Sequence, residues 1–284
     1  MKPTDVAPQL AQLRALWLDA DQIALMWLGQ SSFALRAGDA LLLIDPFLST
    51  HPDRLVPPPF PGCQTHGVDA VLCTHEHWDH FDATAVRDIA AASPDAHIAV
   101  PRPIVPLVTD LGIVADRVIG VQPGNPIEVQ DVTVHPVPAV HGINVADAYS
   151  FGHELSAGMD RYLGYVVEAG GVRIYHAGDT ILYESMETRL QILHVDVALL
   201  PINGRDRDRE TQNIVGNLDH AEAVRLAANI GADVLVPIHY DTFAANLGHP
   251  GKLVEVALRD HPELTVVVLG KERPFIYTKV HGRR

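Results

Sequence analysis

Cysteine is nearly absent: Cys63 and Cys73 are the only two in 284 residues. They lack CxxC spacing, so they supply neither a disulfide framework nor a thiolate metal site. Both read as reduced thiols in or near the core, which fits a cytoplasmic chain. Basic charge is also scarce. Lys and Arg total 21 against 35 Asp and Glu, for a net charge of −14. That balance argues against a nucleic-acid partner, which needs a basic surface. The one dense basic cluster, "GRDRDR" ending at Arg209, is interrupted by aspartates and reads as a solvated loop. No apolar run is long enough to cross a membrane. The N-terminal stretch has no basic start followed by an apolar segment; it reads as an amphipathic helix with Leu10, Leu13 and Leu16 on one face. Low-complexity tracts and short repeats are missing too.

What is present is ordinary for a folded domain. Hydrophobic residues make up 47% of the chain, and a chain this long buries roughly three quarters of its unfolded surface. Apolar, β-branched runs predict strands at Ile23–Leu28, Ser32–Leu35, Leu41–Ile44, Val68–Cys73, Ile98–Val100, Val132–Val137, Leu163–Glu168, Val172–His176, Val195–Ile202, Val234–Ile238, Thr265–Leu269 and Phe275–Thr278. Helical periodicity predicts helices near 5–18, 83–92, 103–111, 183–192, 220–230 and 251–259, with a capping box at Asp219–Glu222. The proline-rich stretch 57–62 reads as a rigid surface loop, because strands continue on both sides. Two sheets with helices outside, a four-layer αββα sandwich of the α/β class spanning residues 1–284 as one domain, accommodates this order.

Histidine is the residue in surplus, 16 in all. The segment "CTHEHWDHFD" places His75, His77, Asp79 and His80 within six positions, directly after the apolar run 68–73. In α/β proteins the loop at a strand's carboxyl end is where chemistry is usually placed. Residues 75 and 77 share one side of an extended segment, while 79 and 80 turn elsewhere. Two pairs facing two points suggest two metal ions, and imidazole with carboxylate suits divalent zinc, iron or manganese. Further donors stand at other strand ends: His141 in "PAVHG", Asp179 in "HAGDT" and His239 in "VPIHYD". His135 and His176 lie near these positions and read as packed or supporting residues. The remaining histidines, His153 and His281 among them, read as surface or structural.

The ordered set HxHxDH, a later His, an Asp in "GDT" and a final His resembles the metallo-β-lactamase superfamily. Stretches such as "GQSSF", "LLPINGRD" and "GADVLVPIHYDTF" are most similar to its L-ascorbate-6-phosphate lactonase-like group. The resemblance implies that His75, His77 and His141 hold one metal, that Asp79, His80 and His239 hold a second, and that Asp179 bridges them, with a hydroxide between. It also implies two divalent ions, Zn2+ or Mn2+, a small-molecule substrate and a homo-oligomeric assembly. The expected activity is hydrolysis of a lactone or ester bond in a small anionic or phosphorylated metabolite, with Asp79 accepting a proton as the hydroxide adds. Phosphodiester hydrolysis on the same two-metal site is the alternative, as is a non-hydrolytic metal-binding or redox protein. A third-position histidine, His77, and the lack of a following flavin-binding region separate the chain from flavin-associated di-iron proteins. Asp45, at the end of another strand, is the candidate for orienting an imidazole; an Asx-turn ahead of Pro46 is its other reading. Asn203, Arg205, Tyr240 and Asp241 are the candidate substrate contacts, with Arg205 suited to clamp a carboxylate or phosphate.

Overall fold

A computed structural model describes residues 6–141, 155–156, 158–212 and 216–279. In the first half the elements are α1 (Pro8–Arg14), β1 (Gln22–Gly29), β2 (Ser32–Ala37), β3 (Ala40–Ile44), β4 (Ala70–Leu72), α2 (Ala83–Ala92), β5 (His97–Pro101), α3 (Val105–Thr109), β6 (Val118–Val121), β7 (Ile127–Val129) and β8 (Val132–Pro138). There follow a two-stranded ribbon, β9 (Leu155–Ser156) and β10 (Met159–Asp160), then β11 (Leu163–Ala169), β12 (Val172–His176), α4 (Met186–Ile192), β13 (Val197–Pro201), α5 (Arg207–Thr211), α6 (His220–Asn229), β14 (Val234–Ile238), α7 (Pro250–Asp260), β15 (Thr265–Val266) and β16 (Pro274–Thr278).

Two seven-stranded mixed sheets form the body. One runs β16-β1-β2-β3-β4-β5-β6 and the other β15-β14-β13-β12-β11-β8-β7. Each is antiparallel on one side and parallel on the other: β3 through β6 are parallel in the first, β12 through β15 in the second.

The period-2 pattern of the strands explains the layering. On β1, Ile23, Leu25 and Trp27 face the second sheet, while Ala24, Met26 and Leu28 face the layer with α1 and α2. On β13, Val197 and Leu199 point into the same intersheet core, while Ala198 and Leu200 pack toward α4, α6 and α7. Each aliphatic side chain buried on either face is worth roughly 1.5–3 kcal/mol. Three apolar layers thus separate four structural ones, and the αββα sandwich is the observed fold.

Departures from the sequence expectations have local causes. The edge strands β6 and β7 carry no clear alternation and are only half-buried, so the pattern that marks a strand is weak there. The helix expected at 103–111 divides into a 3-10 turn, Arg102–Ile104, and the short α3; Pro103 and Pro106 cannot donate to a continuous ladder. The strand expected at Thr265–Leu269 is confined to β15. The stretch expected as a solvated loop forms α5, where Asp206 accepts from the Arg209 backbone N–H at 2.9 Å and Arg209 donates to the Asn203 carbonyl at 2.8 Å. Asp206, one of the aspartates that break up the basic run, is its cap and counter-charge. Of the two cysteines, Cys73 is buried but Cys63 is exposed. Asp82 caps α2, and Asp219 closes a full capping box on α6, as the spacing predicts. His153 and His281 lie outside the described residues. Among the described residues no helix is long and apolar enough to cross a membrane.

Candidate metal centre

The carboxyl ends of β3, β4, β8, β12 and β14 meet at one edge of the sandwich, and each delivers one part of the site. After β4 the chain runs through Cys73 and Thr74 into a tight turn, where His80 and Phe81 both donate backbone N–H bonds to the His77 carbonyl, at 2.9 and 2.7 Å. That turn folds His75, His77, Asp79 and His80 around a small volume before α2 begins. His141 follows β8, Asp179 follows β12 and His239 follows β14.

Four cross-links register one sheet against the other here. Tyr165 Oη donates to the Cys73 carbonyl at 2.7 Å, and Leu163 N to the Thr74 carbonyl at 3.0 Å. His239 N donates to the Gln30 carbonyl at 3.1 Å, and the His176 Nε2 lies 2.7 Å from the Ser31 carbonyl. His176 is thus a buried strut between the sheets, whereas His135 pairs with Glu168 at 3.1 Å on a partly exposed face.

Backbone strain concentrates at the same edge. Gln30, Asp45 and His239 all have positive φ, at 51°, 45° and 55°, a region non-glycine residues rarely occupy without a compensating role. Gly178 (φ 60°) is needed for a second reason. A Cβ there would stand 2.9 Å from both the Leu163 carbonyl and the Thr74 side chain, so only glycine lets the "GDT" turn close onto the histidine-rich one.

The donors fall into two groups: His75, His77, His141 and Asp179, and Asp79, His80 and His239. Within each group one donor atom per residue lies within 4.8 Å of the others. Asp179 reaches both: Oδ2 is 3.6 Å from His141 Nε2 and 3.3 Å from His239 Nε2, and Oδ1 is 3.3 Å from His80 Nε2. Asp79 Oδ2 lies 3.5 Å from His239 Nε2 and 3.8 Å from His80 Nε2. Its side chain keeps 14% of its surface exposed, against 5% for Asp179. All seven residues singled out in the sequence are therefore brought together.

The chemistry of these donors fits a cation. His75 Nε2 is buried with no hydrogen-bond partner among the described residues, while the Nε2 atoms of His80, His141 and His239 converge on the oxygens of Asp179 at 3.3–3.6 Å. Buried polar atoms are nearly always paired, and imidazole nitrogens gathered around a shared carboxylate are the donor set a divalent ion accepts.

The two groups differ in protonation. Burial, aided by neighbouring imidazoles, pushes His77 down to about 3 and His75 well below its ordinary value; it lowers His141 as well. Those rings are neutral at pH 7. Burial acts the same way on His80 and His239, but there the carboxylates win. Asp179, Asp45 and Asp79 hold His80 well above its usual value, and Asp179 and Asp79 raise His239 to about 9. The same pairs, acting against burial, hold the Asp79 and Asp179 carboxyls below the ordinary range.

Asp45 is fully buried. Its Oδ2 lies 2.7 Å from His80 Nδ1 and accepts from Thr74 Oγ1 at 2.8 Å, while Oδ1 accepts from Thr74 N at 2.7 Å. It orients the imidazole instead of merely closing a turn. Thr74 Oγ1 also lies 2.9 Å from His75 Nδ1, so one hydroxyl links both groups.

The four candidate substrate contacts all have protein partners. Arg205 makes a two-pronged pair with Glu222 at 2.7 Å on each prong, and Asn203 bonds Asn246 and Asn217. Tyr240 stacks on Trp27. Asp241 accepts from Gln30 N at 3.0 Å and pairs with Lys271. Asn203 and Arg205 line a separate cavity of about 520 Å³ with Arg209, His220 and His249.

Gln30 escaped the reading of individual residues. It is buried, and its Nε2 donates to Asp79 Oδ2 at 2.9 Å and lies 3.0 Å from His239 Nε2. No periodicity marks it. Its one signal is its place at the end of β1, the same position that flags the other site residues.

The comparisons with known proteins agree with this geometry. A family model described as the β-lactamase superfamily domain matches residues 41–240. A UPF0173 metal-dependent hydrolase of Methanosphaerula palustris is 32% identical over 221 residues, 78% of this chain and 85% of that protein. Another from Myxococcus xanthus is 33% identical over 231 residues, covering 80% and 74%. A solved metallo hydrolase from Ignicoccus hospitalis superposes with a TM-score of 0.68 at 23% identity, covering 91% of this chain and all of that one. The chain belongs to the β-lactamase superfamily and, within it, to the UPF0173 metal-dependent hydrolases.

Proposed function

We propose that the chain hydrolyses a lactone or ester bond in a small anionic metabolite, using two divalent cations, Zn2+ or Mn2+. In this reading His75, His77 and His141 hold one, Asp79, His80 and His239 the other, and Asp179 serves both. The observation that carries it is the pair of donor groups joined through the two oxygens of Asp179. When bound, such cations act as Lewis acids that bring the pKa of a water toward neutrality.

The chain's own residues do the rest. Asp79 is ionised at pH 7, and its side chain is partly open to solvent. It takes the proton released as water adds to the carbonyl carbon. Gln30 fixes the Asp79 carboxylate through Oδ2. Asp45 fixes His80. The resemblance to the lactonase-like group favours a cyclic or simple ester over a phosphodiester.

Metal analysis of the purified chain, followed by a screen of lactones, esters and phosphodiesters, tests the proposal. We expect about two divalent ions per chain, turnover of a lactone or ester, and a loss of about 10²–10⁴-fold in kcat for a folded Asp79→Ala variant. Turnover that survives chelation, or an Asp79→Ala protein with full activity, would overturn it. Preferential cleavage of a phosphodiester would shift the substrate class.

A further inference from the structure

Beside the metal centre, three loops carry aromatic rings that the proposed chemistry does not use. Trp78 stands between His77 and Asp79 on the histidine-rich turn. Phe47 lies two residues after Asp45, and Phe243 lies on the loop after His239. The rings meet: Trp78 and Phe243 pack edge to face with centroids 5.1 Å apart, and Trp78 and Phe47 do so at 5.3 Å. His51 stacks on Trp78 at 4.5 Å with planes only 17° apart.

The loops beneath them are cross-linked. Leu55 N donates to the Thr242 carbonyl at 2.8 Å, and Arg54 bridges Phe243 in an isolated antiparallel pair. The Arg54 guanidinium lies 4.0 Å over the Phe47 ring and donates to the Phe47 and Ser49 carbonyls. Ser49 in turn is tied to Asp82, the cap of α2. Despite this bracing Trp78 remains 41% exposed, whereas Phe47 beneath it is 2% exposed.

We propose that Trp78 and Phe243, backed by Phe47, form a stacking wall that selects substrates bearing a planar apolar group next to the hydrolysed bond. The inference rests on the hydrolase reading above and names the substrate class for that site. Three rings converge from loops that each also supply a metal-centre residue, which sets the wall next to that centre. Its position is fixed by main-chain hydrogen bonds, so stacking costs little further ordering. His51 covers one face of the indole and Phe47 and Phe243 meet it at steep angles, yet Trp78 stays 41% exposed, so indole surface remains for a planar apolar group to pack against. Apolar surface held open at the mouth of a polar, ion-binding centre is where a substrate's non-reacting part contributes binding.

The test uses two matched pairs of probes on the metal-loaded chain: the anions 3-phenylpropanoate and butanoate for binding, and their methyl esters for turnover. The phenyl ring sits two carbons from the carbonyl, so the members of each pair react alike. We expect 3-phenylpropanoate to bind about tenfold more tightly than butanoate, the worth of one good aromatic contact, and to perturb tryptophan fluorescence. Trp78→Ala should reduce the preference to within about twofold in both binding and KM, with metal content retained, and Trp78→Phe should restore most of it. Discrimination in binding without hydrolysis of either ester would sink the ester reading and leave the wall standing. Equal binding of the two anions by the wild-type chain, or a Trp78→Ala protein that keeps the tenfold preference, would overturn the wall whatever the turnover.

Discussion

The two donor groups use the same residue types to opposite electrostatic ends. In the group of His75, His77, His141 and Asp179, three rings crowd together, with His75 and His77 centroids 4.4 Å apart and His77 and His141 4.9 Å apart. Burial and mutual repulsion strip their protons, so lone pairs are ready for a cation. In the group of Asp79, His80 and His239, carboxylates outnumber rings once Asp45 and Asp179 are counted. Without metal, the two imidazoles keep their protons as counter-charge. On the two-cation proposal, the first group would be preorganised to bind, while the second would have to surrender protons first.

The largest effect should come from erasing the distinction. Asp179 is the residue both groups share, so Asp179→Ala should lower metal content to one ion or fewer and activity by about 10³-fold or more, read by elemental analysis and by turnover of whichever ester the screen identifies. Asp45→Asn should instead sharpen it. The amide keeps an acceptor for Thr74 N but removes the charge behind His80, so affinity at the second group should fall about 10–100-fold while the first changes less. Competitive chelator titration separates the two steps.

Acidity should act on the groups in order. Loading the second group displaces protons from His80 and His239, so its affinity should rise by about tenfold per pH unit for each proton released, up to about pH 9. Calorimetry in buffers of different ionisation heat counts those protons. In the metal-free chain the linkage has two limbs. His239 has a folded pKa raised to about 9, so its stabilisation is full below the unfolded value of about 6.5 and is lost as pH climbs through 9. His77 is depressed to about 3, so acidification from 6.5 toward 3 protonates it only in the unfolded chain and destabilises the fold. Thermal melts with chelator should therefore weaken below pH 6.5 and again toward pH 9. The smallest effect concerns the scaffold: Tyr165→Phe deletes a buried intersheet bond to the Cys73 carbonyl and should cost about 1 kcal/mol, a few degrees of melting temperature.

Legibility followed the range of the interaction. The turn 75–80 could be read because its donors are neighbours in the chain, and a histidine cluster after an apolar strand is a local signal. His141, Asp179 and His239 could be placed at strand ends, but only the ordered motif and its resemblance tied them together. Gln30 and Thr74 gave no comparable signal, because an amide and a hydroxyl matter here only through what they touch. Arg205 shows the converse. As a residue type it suits an anion clamp, yet Glu222, seventeen positions away, takes both prongs of its guanidinium.

The sequence alone determined the alternating strands, the capping box of α6, and the inventory of imidazoles and carboxylates, since each depends on spacing within a few residues. Tertiary structure decided which histidines hold protons, how Asp179 divides its two oxygens, and that Trp78 stays open beside the centre. Those outcomes are set by distances between side chains on different strands and by the loss of water around them, quantities that no local pattern encodes.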